Sequence, residues 1–196
     1  MPKKMLVILC LVPMLFAGCK NSHRIESASV IENVSVESKS GQLFYTFYLL
    51  TDSDEPEAVE IPADSFKEAR SLAGSRYIPN MTLAKLELLL IAENVDREIM
   101  RGDIEYISTQ ASFSPIAKVA LCDGGALAKV RKSVSAQTMI EKQIILCKNN
   151  HPEVNSDYLS VFNCYADKKS DSFSVPFVTA SDELKVSQIK IEKNEK

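Results

Sequence analysis

Two stretches of this chain are too apolar to stand at a surface, and they restrict the folds open to it. Leu83 to Ala92 is almost continuously apolar, interrupted only by Lys85 and Glu87, and Pro115 to Leu121 is a second such stretch. A strand with one wet face alternates apolar and polar residues, whereas a strand covered on both faces does not. The first stretch also lacks a helical period. Both are therefore predicted to be central strands of a sheet that is covered by helices.

The pattern around them extends this reading. Ser27 to Glu37 places Ala28, Val30, Glu32, Val34 and Val36 on one face, as a half-buried strand would. Lys39-Ser40-Gly41 is a turn signal, and Leu43 to Leu50 is a second strand, so the pair is predicted to form a hairpin. Asp52 to Pro56 is a charged loop, and Ala58 to Ile61 a short third strand. Ser65 and Glu68 then form a capping box ahead of Phe66, Ala69, Leu72 and Ala73, with Gly74 near the expected helix stop. Asn94 is placed to cap a helix carrying Ile99, Met100, Ile104 and Ile107, with Gly102 as its break. Asp123-Gly124-Gly125 reads as a turn. Ser135 to Cys147 is helical, with Met139, Ile140, Ile144 and Cys147 on one side, and Asn149-Asn150-His151-Pro152 stops it. Tyr158, Leu159, Phe162 and Tyr165 mark a last helix. Val175 to Val178 is a short extended piece around Pro176, and Leu184 to Ile191 a final strand. The expected fold is α/β (α+β): a mixed sheet with an N-terminal hairpin, covered by helices. One domain over residues 27–191 accommodates it, with a charged tail at 192–196 expected to fray.

The N-terminus does not belong to that body. Lys3 and Lys4 precede an uncharged apolar run from Met5 to Ala17, which at 13 residues is shorter than the roughly 20 a membrane-spanning helix needs. It fits the apolar region of a secretory signal peptide, here residues 1–18. The run ends Leu15-Phe16-Ala17-Gly18-Cys19, which resembles the lipobox of bacterial lipoproteins. The resemblance implies cleavage between Gly18 and Cys19, with acylation of Cys19 by palmitate-type chains and residues 19–26 serving as a tether. One acyl chain holds a protein only marginally to a bilayer, and two hold it stably. Loss of Lys3 and Lys4 moves the formal charge from −3 to about −5, so charge would not draw the body to an anionic membrane.

The residues that do chemistry are sparse. Of five cysteines, Cys122, Cys147 and Cys164 remain after Cys10 and Cys19 are set aside, without CxxC spacing. Three buried thiols are the main expectation and one disulfide among them the alternative. His23 falls in the tether and His151 in a turn, neither at metal-ligand spacing from other donors. No phosphate-binding glycine loop, dinucleotide fingerprint or nucleophile elbow occurs. No basic stripe points to nucleic acid. Three features remain as candidates. Asp123-Gly124-Gly125 ends a central strand, where α/β proteins often bind ligands. Glu87 and Lys85 would need a second convergent carboxylate for acid–base work. Tyr45, Phe47 and Tyr48 would offer a binding surface if exposed.

The order of elements, with certain short motifs, resembles the N-terminal region of the Ger(x)C spore germination lipoproteins, the C subunits of germinant receptors. The likeness runs from Cys19 through Ile25-Glu26, the hairpin, Ser65-Phe66-Lys67-Glu68-Ala69, the Leu86 to Ala92 strand, Tyr158 to Tyr165 and Val175-Pro176. Cys19-Lys20-Asn21 stands where family members begin Cys-Trp-Asp, and Leu83-Ala84-Lys85 where they carry a histidine. The resemblance implies a non-catalytic subunit that needs no cofactor or metal. It would be held by lipid on the extracytoplasmic face, at the spore inner membrane, and act in germination through contact with integral membrane subunits. The alternative expectation is a stand-alone surface lipoprotein that binds a small ligand or an envelope polymer.

Overall fold

The computed structural model describes residues 28–167 and 169–193. Gly18, Cys19, His23 and the tail beyond Lys193 therefore lie outside the described residues. Along the chain come β1 (Ser29–Lys39), β2 (Gln42–Leu49), β3 (Glu57–Pro62), α1 (Phe66–Arg76), β4 (Met81–Thr82), β5 (Leu88–Ala92) and α2 (Arg97–Ser108). After them come β6 (Lys118–Cys122), α3 (Gly124–Val130), α4 (Val134–Asn150), α5 (Tyr158–Ala166), β7 (Ser172–Ala180) and β8 (Leu184–Glu192). One mixed eight-stranded sheet runs β3-β2-β1-β5-β6-β7-β8, with β4 beside β1. This is the expected architecture: an α/β sheet opened by a hairpin and covered by helices.

Strands β1, β5, β6 and β7 are mutually parallel. Their C-terminal ends form what is called here the upper edge of the sheet, and their N-terminal ends the lower edge. Helix α2 packs against both α1 and α5 on one face, and α3 and α4 pair with each other. Tyr45 on β2 reaches α2, while Asn33 on β1 reaches α4. Double coverage explains the apolar strands: all five residues of β5 are buried. It also corrects the reading of β1, where Asn33 and Ser35 are buried along with Val34 and Val36.

The hairpin follows from its turn. Lys39 pairs with Gln42, and Ser40 and Gly41 both have positive φ, 53° and 82°. This two-residue turn matches the twist of antiparallel strands. The helix α1 begins as expected: Ser65 accepts from the Glu68 backbone N–H at 3.3 Å. The Glu68 carboxylate, however, accepts from the N–H of Asp64 at 3.0 Å, one residue before the cap. Phe66 anchors α1 to the sheet among the rings of Tyr45, Phe47 and Tyr106. Burying a ring of that size stabilises the fold by about 1.5–3 kcal/mol.

Several local expectations are overturned. Leu83 to Ala92 is not one strand: Leu86 N–H bonds back to the Leu83 carbonyl at 3.1 Å, so the chain turns there and only Leu88–Ala92 joins the central ladder. Asn94 does not cap α2. Asp96 does, accepting from Glu98 and Ile99, while Asn94 bonds the backbone of Ser38. Gly102 does not break α2, because neighbouring packing outweighs its roughly 1 kcal/mol helix penalty. Asp123-Gly124-Gly125 is no free turn but the start of α3. Gly74 likewise lies within α1, which ends at Arg76. On α4 the inward face is Gln137, Ile140, Ile144 and Cys147, and Met139 points to solvent. Glu192 still belongs to β8 rather than to a frayed tail.

The β6–β7 pair has a further irregularity. Pro176 has no N–H to donate, and β7 joins β6 only at Phe177 and Val178. Below that point Val154 to Asp157 wedges between the two strands. Val119 N–H bonds the Ser156 carbonyl at 2.9 Å, and Asn155 N–H bonds the Ser174 carbonyl at 2.8 Å. The wedge satisfies backbone groups that a proline-containing strand leaves open.

Candidate functional site

The upper edge is where parallel α/β sheets usually bind ligands, and here the chain itself fills it. Asp123 accepts from the Ala126 N–H at 2.7 Å with one carboxylate oxygen and from the Ala180 N–H at 3.2 Å with the other. A side chain at Gly125 would meet the Ala180 carbonyl at 2.8 Å, so β7 closes directly over the start of α3. Asn94 holds Ser38 by two backbone hydrogen bonds, at 2.7 and 3.2 Å. Next to it Arg131, just past α3, pairs with Glu37 and Glu60, and Lys39 pairs with the same two carboxylates at 2.7 and 2.8 Å. Two cations and two anions balance there. No sequence motif announced this cluster, because its members come from β1, β3 and the end of α3.

The lower edge carries the second carboxylate that Glu87 lacked in the sequence. Ile31 pairs with Leu49 and Asn33 with Tyr48, which leaves Glu32 as the extra residue of a β-bulge. Bulges re-aim side chains. Glu87 N–H bonds the Glu32 carbonyl at 2.8 Å, and Lys118 N–H bonds the Glu87 carbonyl at 2.6 Å, so the three residues form a row across β1, β5 and β6. Helix α4 crosses above the row. Its Gln137 accepts from Asn33 at 2.5 Å, and Glu141, one turn later, meets Glu87.

Burial first, and then repulsion from Glu87, raises the Glu141 carboxyl above the usual carboxylate range; a carboxyl–carboxyl hydrogen bond to Glu87 adds to the rise. Glu32 is raised by burial, then by Glu87 and Glu141, with Lys85 pulling the other way. Burial thus disfavours the charged forms of Glu32 and Glu141. Among the described residues no group of three or more His, Cys, Asp or Glu is arranged to hold a metal ion. Lys85 and Glu87 are both exposed, Lys85 in the turn that interrupts the apolar stretch.

The remaining candidates are structural. Tyr45, Phe47 and Tyr48 are buried and pack the core instead of offering a surface. Tyr45 donates to Asp103 at 2.7 Å, and Phe66 N–H donates to the other Asp103 oxygen at 2.8 Å. Burial raises the Asp103 carboxyl in spite of those two donors. Tyr48, bonded to Ser35 at 3.1 Å, is pushed up to about 12, chiefly by burial. Cys122, Cys147 and Cys164 are free thiols, and burial pushes each one up. Thiols in such surroundings stay protonated and are poor nucleophiles. His151 is half exposed, its Nδ1 3.6 Å from Glu153.

A hollow of about 460 Å³ lies between α4 and β8, where Gln143, Asn150, His151, Glu183 and Lys185 converge. Cys147 sits at its floor with its thiol against the Ser187 carbonyl at 3.7 Å. Among the described residues no helix is long and apolar enough to cross a membrane. No family model, no curated protein and no solved structure matches the chain.

Proposed function

We propose that the chain is a lipoprotein, held on the extracytoplasmic face of a membrane by acyl chains on Cys19, whose α/β body acts by protein–protein contact. The partners are integral membrane subunits of a spore germinant receptor, in the manner of the Ger(x)C proteins, and the role is non-catalytic. One observation carries the reading: Lys3-Lys4, the apolar run to Ala17, and Leu15-Phe16-Ala17-Gly18-Cys19. The fold is compatible with it. Ala28, the first described residue, is nine residues past Cys19, and an upper edge taken up by the chain's own contacts favours a binding role.

Cys19→Ala, followed by membrane fractionation and labelling with radioactive fatty acid, tests the anchor. Loss of both label and membrane association is expected; unchanged association and labelling would overturn it. Co-purification of the wild-type protein with neighbouring-gene membrane subunits tests the receptor role. A second reading, a stand-alone lipoprotein that binds a small ligand or envelope polymer, draws on the polar hollow between α4 and β8. It gains if the lipidated protein purifies without such subunits.

A further inference from the structure

Four of the large apolar side chains that face solvent lie along one edge of the sheet, and it is the edge at which β1, the first described strand, begins. Leu50 is 49% exposed, Tyr77 59%, Ile116 73% and Leu159 50%. Leu50 N–H bonds the Val30 carbonyl at 2.9 Å, placing it beside the start of β1. Tyr77 follows α1 as its C-cap, two residues before Pro79, whose carbonyl accepts from the Ser29 hydroxyl at 2.9 Å. Ile116 precedes Lys118, which is in register with Leu88 and through it with Asn33. Leu159 N–H bonds the Pro115 carbonyl at 3.3 Å. With strands about 4.8 Å apart, Leu50 at the end of β2 and Ile116 ahead of β6 stand about 15 Å apart across the sheet, with Tyr77 and Leu159 at the helix ends beside them.

Residues 20–27 separate Cys19 from Ala28, and that length of chain reaches at most about 30 Å. A body held by so short a tether presents first the edge from which the tether leaves. Apolar side chains with a tyrosine among them suit the boundary between headgroups and acyl tails. Exposed Arg76 and Lys85 share this edge with exposed Glu87, so the apolar side chains, and not net charge, would make the contact. We infer that the lower edge is the face laid against the lipid bilayer, with Leu50, Tyr77, Ile116 and Leu159 as its contact residues. The inference rests on acylation of Cys19; it adds the orientation of the body on the membrane.

The chain contains no tryptophan, so a single introduced one reports its own surroundings. The full chain is expressed with its leader in a lipidating bacterial host and reconstituted into phosphatidylcholine vesicles with or without brominated acyl tails. Ile116→Trp and Leu159→Trp probe the edge. Leu146→Trp is the control, because Leu146 is 59% exposed on α4 away from the edge. Blue-shifted emission at positions 116 and 159 that bromine quenches, with the control emitting as in water, is the expected result. Vesicle-bound protein with all three probes emitting as in water overturns the orientation and leaves the anchor standing. Equal quenching at all three positions also overturns it. Protein that neither floats with vesicles nor carries acyl mass on Cys19 defeats the anchor and this inference together.

Discussion

At the upper edge, Asn94, Asp123 and Arg131 each tie a strand end to another part of the chain. At the lower edge, Leu50, Tyr77, Ile116 and Leu159 face solvent and three carboxylates crowd together. Both edges belong to the same strands, so the difference is not one of secondary structure. At the upper edge, polar side chains are spent on backbone groups that would otherwise be unsatisfied. At the lower edge, apolar and like-charged groups are kept in positions that add little or subtract from stability. Positions that are expensive to keep and unused by the fold are where binding is sought.

The contrast can be broken by substitution. Asp123→Ala should have the largest effect, about 3 kcal/mol, since it removes the cap on Ala126 and strands the Ala180 N–H. Urea unfolding measures it, and a loss below 1 kcal/mol would mean that this edge is not closed as described. Gly125→Ala should cost about 2 kcal/mol, because the new methyl would meet the Ala180 carbonyl at 2.8 Å. Asn94→Ala should cost about 1 kcal/mol for its two bonds to Ser38.

At the other edge the sign reverses. The Glu32 and Glu141 carboxyls are raised in the folded state. Their contribution is therefore fully present below the unfolded value, about 4.3, and is lost as pH rises through the folded values. Glu87→Gln removes the repulsion and should stabilise the protein at pH 7 by about 0.5 kcal/mol, a value already reduced for solvent screening. It should also flatten the decline in stability across weakly acidic pH. Thermal melts at several pH values test this, and a destabilised variant at pH 7 would contradict the like-charge account. The smallest effect is expected for Ile116→Ser and Leu159→Ser, within about 0.5 kcal/mol of wild type; a larger loss would place these side chains in the core.

Much of the architecture was legible because it depends on local rules. The hairpin was written in Ser40-Gly41, the start of α1 in Ser65 and Glu68, and the buried middle of the sheet in two apolar stretches. The failures share a cause. Asn94 and Asp96 are both acceptable caps by residue type, and a contact with Ser38, far away in sequence, selected between them. Gly124 and Gly125 looked like a turn because the approach of Ala180, which makes a glycine necessary, is a tertiary contact. Gln137, and not Met139, faces inward because Asn33 offers its buried amide a partner. The grouping of Glu32, Glu87 and Glu141 had no signal at all, since a bulge in β1 and the path of α4 across the sheet create it.

By itself the sequence determined the hairpin and a helix-covered mixed sheet, because side-chain period, turn residues and apolar length act over a few neighbours. Only the tertiary structure decided which edge of that sheet is closed and which is open. Strand order and helix crossing bring together residues scores of positions apart, and the free energy of those meetings exists only once both partners are in place.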